Sequence, residues 1–131
     1  MDKRIELIVL WILIVLGFLA HSQADMLPAF WGQSIVAMPA DEAPTGLIAF
    51  MVAVTYLLPA VVVLVLMYGK GRGGRLLNAV LACLYGMFCL LHMLEWAEAF
   101  NPVQLVVMPM MAVVGIVLAV KAVHYAQMKE E

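Results

Sequence analysis

Residues 45–68, TGLIAFMVAVTYLLPAVVVLVLMY, contain no Asp, Glu, Lys, Arg or His. A helix of this length, rising about 1.5 Å per residue, would cross the hydrocarbon layer of a bilayer, which is roughly 30 Å thick. Pro59 lies inside the stretch and cannot donate a hydrogen bond to the carbonyl of Thr55, so we predict a kink there. The stretch therefore predicts a kinked membrane-spanning helix.

Three other apolar stretches have comparable length, at about 5–21, 76–97 and 103–125. The chain is 66% hydrophobic and 12% charged, whereas roughly a quarter of an ordinary soluble chain is charged. We predict an all-α integral membrane protein in which residues 1–131 form a single transmembrane domain, a compact antiparallel bundle of four transmembrane helices. The first stretch has the basic start of a signal peptide, but we expect it to be retained as an anchor helix.

The distribution of charge predicts the orientation. All seven Lys and Arg residues fall on one side of the predicted bundle, together with both termini. The other side has only acidic charges, at Asp25, Asp41, Glu42, Glu95 and Glu98. Because basic residues are retained in the cytoplasm, we expect an N-in/C-in multi-pass protein of a bacterial inner (plasma) membrane. The net charge of −2 gives no reason to expect a nucleic-acid partner.

Two connections differ in character. The outer loop, 21–44, contains Phe30 and Trp31, which are typical of a membrane–water interface, so we expect a short surface helix near 27–36. The inner basic turn, 69–75, matches G-x-G-x-x-G, but a dinucleotide site would require a preceding strand, and here a membrane helix precedes it. We instead expect the basic side chains of this turn to contact anionic lipid, namely Lys70, Arg72 and Arg75.

Ionisable and polar residues cluster at the predicted outer end of the bundle. His92, Glu95 and Glu98 recur every three residues along the third helix, and His21 and Asp25 lie four apart at the end of the first. Gln104 begins the fourth helix at the same side. Ionisable residues at the edge of the hydrocarbon usually face a partner, a ligand or water. The proposed ligand or metal site therefore comprises His92, Glu95, His21, Asp25 and Glu98.

Several interpretations of this cluster remain open. His92 and Glu95 could form a structural hydrogen bond, contact a partner subunit, or hold a divalent cation or relay a proton. Methionines are frequent in the outer half, and thioethers with imidazole also suit Cu(I). Haem with His21 and His92 as axial ligands is disfavoured, because no Arg or Lys lies outside to meet its propionates.

Small residues follow one face of the fourth helix, at Ala112, Gly115, Ala119 and Ala122. Such a stripe favours close helix packing, within the chain or across a homodimer. Cys83 and Cys89 lie six residues apart on one predicted helix and point in different directions, so we expect no disulfide between them.

The sequence favours a protein without enzymatic activity, since it lacks G-x-S-x-G, H-E-x-x-H and C-x-x-C motifs. Two functions are consistent with the pattern. The first is binding of a cation or small ligand at the outer His/Glu cluster. The second is a non-catalytic accessory or assembly role in a larger membrane complex, which would suit the small size of the chain.

Overall fold

The structure, a computed structural model, describes residues 2–36, 39, 41–69, 71–94 and 101–128. The described residues are mostly helical, without strands, and four of the helical segments are long and apolar enough to cross a membrane. This confirms the predicted all-α fold with four apolar helices. The helices are α1 (Lys3–Met26), α2 (Thr45–Tyr68), α3 (Arg72–His92) and α4 (Gln104–Gln127).

The start of α1 and the end of α4 meet at the same end of the bundle. The ammonium of Lys3 lies 3.3 Å from the sulfur of Met128, and Arg4 Nε donates to the hydroxyl of Tyr125 at 3.5 Å. We name the two ends of the bundle by their residues. The basic end has Lys3, Arg4, Arg72, Arg75 and Lys121, and the histidine end has His21, His92 and Gln104.

The first helix is longer than its apolar stretch. It begins after Asp2, whose side chain accepts a hydrogen bond from the backbone N–H of Arg4 at 2.8 Å. It continues past the predicted end at 21 as far as Met26, so the first part of the predicted outer loop is helical. A 3₁₀ turn at Leu27–Trp31 follows, where a surface helix was predicted near 27–36, and Gly32 ends it with a positive φ of 73°.

The connection between α2 and α3 is shorter than the predicted turn 69–75. Helix α3 begins at Arg72, so Gly73, Gly74 and Arg75 belong to its first turn. Gly71, just before the helix, has a φ of 96°, which glycine adopts without strain. A side chain on Gly74 would lie 3.2 Å from the side chain of Val65, so the glycine lets the two helices approach closely.

Helix α2 changes its winding in the middle. It is α-helical at Thr45–Val52, forms a π turn at Ala53–Leu57, and is α-helical again at Leu58–Tyr68. The π turn lies directly before Pro59, where the sequence predicted a kink. The second half buries Pro59, Val62 and Leu66, whereas Thr45–Val52 has no buried residue and approaches none of the other described helices.

The core lies between α1, α3, α4 and the second half of α2. Trp11, Ile14 and Leu118 are fully buried in it. Helices α3 and α4 approach closely, so that a Cβ atom on Gly86 would lie 2.9 Å from the carbonyl oxygen of Gly115. Gly17 of α1 similarly faces Met111 of α4. These contacts determine how the helices are rotated and therefore which residues meet at the histidine end.

Candidate functional site

The histidine end joins residues from three helices. His21 lies near the end of α1, and Asp25 follows it by one turn because α1 continues to Met26. His92 is the last residue of α3, and Gln104 is the first residue of α4. Each side chain therefore belongs to a helix terminus, and the bundle brings the termini together.

The two histidines are in direct contact. Their Nε2 atoms lie 3.0 Å apart, and their ring planes are inclined at 73° with centroids 4.6 Å apart. One of the facing nitrogens must donate and the other accept, so in the neutral pair a single proton lies between them. The side chain of His21 is 13% exposed. The pair is thus shielded but reaches the surface.

Asp25 supplies a negative charge beside this pair. Its Oδ2 atom lies 3.6 Å from Nε2 of His21, and its side chain is half exposed. Its Oδ1 atom accepts hydrogen bonds from Gln104 Nε2 at 2.7 Å and from Asn101 Nδ2 at 3.4 Å. Two amide donors therefore hold the carboxylate toward the imidazoles.

Gln104 anchors the junction between α1 and α4. It is 2% exposed, and its Nε2 also donates to the backbone carbonyl of His21 at 3.2 Å. Asn101 Oδ1 accepts from the backbone N–H of Val103 at 3.0 Å, which steadies the start of α4. The sequence prediction included Gln104 in this group but missed Asn101. The Asn-Pro dipeptide before the fourth apolar stretch indicates a turn, and this was the sequence signal that could have identified Asn101.

Two buried polar atoms at this junction have no hydrogen-bond partner in the part of the chain that the structure describes. They are Nδ1 of His21 and Oε1 of Gln104. Buried polar atoms are nearly always paired in folded proteins. The side chains of this network therefore do not form all the hydrogen bonds that its buried polar atoms can make.

Aromatic rings close the site toward the bundle interior. Phe88 stacks on His92 with centroids 5.4 Å apart, and Phe18 lies 5.9 Å from Phe88. Tyr85 comes next, 6.2 Å from Phe18. The two phenylalanines thus separate the histidines from the next polar side chain in the core.

Three of the five predicted site residues are described and lie close together. The structure brings together His21, His92 and Asp25, whereas Glu95 and Glu98 lie outside the described residues. Among the residues described, no group of three or more His, Cys, Asp or Glu side chains is arranged to hold a metal ion. The facing nitrogens of His21 and His92 are in hydrogen-bond contact, which leaves no room for a haem between them. Met111, one of the outer-half methionines, packs on Gly17.

The predicted lipid contacts lie at the basic end. Arg75 donates from Nη1 to the backbone carbonyl of Met128 at 3.0 Å, and its guanidinium lies 5.9 Å from the centre of the Tyr125 ring. Arg72 is exposed, and Lys70 lies outside the described residues.

The stripe of small residues on α4 lies against α3. Ala112, Gly115 and Ala122 are buried, and Ala119 is partly buried. A Cβ on Gly115 would lie 3.2 Å from the Cα of Gly86 and 3.3 Å from the Cβ of Cys89. Cys83 and Cys89 are both free thiols.

Comparison of the chain with protein-family models, with curated proteins and with solved structures gives no match.

Proposed function

We propose that this chain is a small polytopic protein of a bacterial inner membrane that binds a cation at the pair formed by His21 and His92. The observation that carries the proposal is the 3.0 Å separation of their Nε2 atoms. Two imidazole nitrogens that face each other at this distance can share one positively charged species. That species is either a proton or a metal ion that takes the proton's place.

The spacing suits a transition metal after a small adjustment. A tetrahedral ion with metal–nitrogen bonds of about 2.0–2.1 Å places two ligand atoms about 3.3–3.4 Å apart. The facing nitrogens at 3.0 Å would need to separate by only a few tenths of an ångström. The Oδ2 atom of Asp25, at 3.6 Å from His21 Nε2, could complete a third position after a similarly small shift.

The surroundings favour a ligand over a purely structural pair. A structural polar network in an apolar setting is expected to satisfy its own members. Here Oε1 of Gln104 is buried without a hydrogen-bond partner among the described residues. The carboxylate of Asp25, held by Gln104 and Asn101, adds the negative charge that a bound cation requires.

The arrangement supports binding more than conduction through the bundle. The site opens at the histidine end, and Phe18 and Phe88 lie between it and Tyr85. The described Lys and Arg residues all lie at the basic end, which we assign to the cytoplasm by the positive-inside rule. The cation would then enter from the outer side.

Metal titration tests the proposal. Purified protein in detergent is titrated calorimetrically with Zn²⁺, Mn²⁺ and Cu⁺, beside His21→Ala, His92→Ala and Glu95→Gln. We expect one metal to bind with a stoichiometry of one and each histidine substitution to weaken it at least about tenfold, because a ligand is lost. His124→Ala is the matched control, since this histidine is exposed near the other end of α4. Equal binding by all variants, or no binding of any metal, would contradict a metal at this pair.

A specific observation also favours the accessory role. The segment Thr45–Val52 is apolar, has no buried residue and approaches none of the other described helices. A photo-crosslinking residue in place of Phe50 would form a discrete adduct in cells if a partner subunit covers this segment. The control is the same residue in place of Val106, a 78% exposed position on α4. Lipid adducts alone at both positions would remove this alternative.

A further inference from the structure

We propose that the chain binds one anionic phospholipid in the groove between α3 and α4 at the basic end. The phosphate would lie against Arg72 and Arg75, and an acyl chain would follow the groove toward Met87. This inference is independent of the histidine pair, which lies at the opposite end of the bundle.

The groove has a volume of about 960 Å³. Its wall on α3 includes Leu76, Val80 and Met87, and Val123 contributes from α4. Cys83 lies along it as an exposed thiol. Apart from the arginines and Gln127, the lining residues are predominantly apolar, which suits a hydrocarbon chain.

At the charged end of the groove, two arginine side chains are positioned to bind an anion. Arg75 is held by its hydrogen bond to the carbonyl of Met128 and by its position over the ring of Tyr125. A guanidinium that is already positioned loses less entropy when it binds a phosphate. Arg72, one turn earlier and also lining the groove, adds a second positive charge.

The start of α3 adds backbone donors at the same place. Helix α3 begins at Arg72 without a side-chain cap from the residues described, and the positive end of its helix dipole favours an anion there. A Cβ on Gly73 would meet no atom within 4 Å, so a phosphate group can approach the backbone there.

The length of the groove matches one leaflet. From Arg72 to Met87 the helix rises about 22 Å, whereas half of the hydrocarbon layer is about 15 Å. The groove therefore spans the headgroup region and one acyl layer. Inorganic phosphate alone would leave the apolar lining uncovered, and a second copy of this basic end would bring like charges together. A phospholipid satisfies both parts of the groove.

Native mass spectrometry of the delipidated full chain tests the inference with dioleoyl phosphatidylglycerol and dioleoyl phosphatidylcholine. We expect one phosphatidylglycerol to bind at least about fivefold more tightly than phosphatidylcholine, and Arg72→Gln and Arg75→Gln each to remove much of that preference. Cys83→Trp should fill the groove and weaken binding of both lipids. Lys121→Gln, a charge change at the same end but outside the groove lining, should leave the preference unchanged.

Several outcomes of this experiment would contradict lipid binding in the groove. Equal binding of the two lipids, or a preference unaffected by the arginine substitutions, would overturn the inference. So would displacement of the lipid by 10-fold excess inorganic phosphate, or a lipid-free dimer that Cys83→Trp dissociates. Circular dichroism melting of each variant identifies any that has lost its fold. A second readout uses the wild-type chain, in which we expect phosphatidylglycerol, but not phosphatidylcholine, to slow the alkylation of Cys83.

Discussion

The hydroxyl of Tyr85 on α3 donates a hydrogen bond to the backbone carbonyl of Val54 in the π turn of α2. This bond compensates for the altered winding of α2. The N–H of Leu58 bonds to the carbonyl of Ala53 in the π turn, so the carbonyl of Val54 loses the partner that an α-helix would supply. Tyr85 therefore fixes the packing of the second and third helices at the level of Pro59.

Removing this hydroxyl should destabilise the bundle. Tyr85→Phe leaves the carbonyl of Val54 unpaired in an apolar setting, and we expect a loss of about 1–3 kcal/mol in the free energy of unfolding. Denaturation of the purified protein in mixed micelles measures the change. Tyr56→Phe on α2 is the matched control, because the Tyr56 side chain is 61% exposed. Equal stabilities of the two variants would contradict a role for the hydrogen bond.

The close approach of α3 and α4 predicts that a larger side chain at Gly115 lowers the stability of the protein. Gly115→Leu would force a side chain to within 3.2 Å of the Cα of Gly86, which cannot move without shifting its helix. Overpacking of this kind typically costs about 1–3 kcal/mol, so we expect a lower thermal midpoint. Gly46→Leu is the control, because a Cβ there meets no atom within 4 Å. A midpoint unchanged by Gly115→Leu would mean that α3 and α4 do not pack in this way.

Accessibility to a membrane-impermeant thiol reagent tests the orientation. In a chain with Cys83→Ser and Cys89→Ala, we expect Ser34→Cys to be labelled from outside intact cells and Gly73→Cys only after the membrane is opened. The expectation follows from the basic residues around the start of α3. Gly73 has open space for a side chain, so the substitution should not disturb packing. Labelling of Gly73→Cys alone from outside would reverse the assigned orientation.

The sequence could predict the four helices because each apolar stretch is long enough to cross a bilayer. It could not predict the full length of α1. Ser22, Gln23 and Asp25 are polar and interrupt the apolar signal. However, Gln104 and Asn101 bond to Asp25 and stabilise the extra turn. Similarly, two glycines near the start of α3 indicated a loop, yet close packing of Gly74 on Val65 accommodates them in a helix.

The sequence could predict which residues lie at the histidine end of the bundle, but not that His21 and His92 are in direct contact. Counting residues from the helix ends placed His21 and His92 at the same side. Whether they meet depends on the rotation of each helix, which the contacts Gly17–Met111 and Gly86–Gly115 determine. Neither pairing could be derived from spacing along a single helix, because each joins residues that are distant in sequence.

The last prediction concerns the effect of pH on metal binding at the histidine pair. Both Nε2 atoms must be unprotonated to bind a metal, so protons and metal compete for the same lone pairs. Affinity for Zn²⁺ should therefore fall as the pH is lowered, by up to about 100-fold per pH unit once both imidazoles take up a proton.

Calorimetry at several pH values, in buffers of different ionisation enthalpy, counts the protons released on binding. At low pH the wild-type chain and His124→Ala should both release about two, and His92→Ala, if it retains weak binding through His21, should release about one. Asp25→Asn should weaken binding without changing the number released by the histidines, because it removes a charge beside them. Affinity independent of pH between 5.5 and 7.5 would exclude the imidazoles as metal ligands. The direct hydrogen bond between His21 and His92 would then serve to join the ends of α1 and α3 without a bound metal.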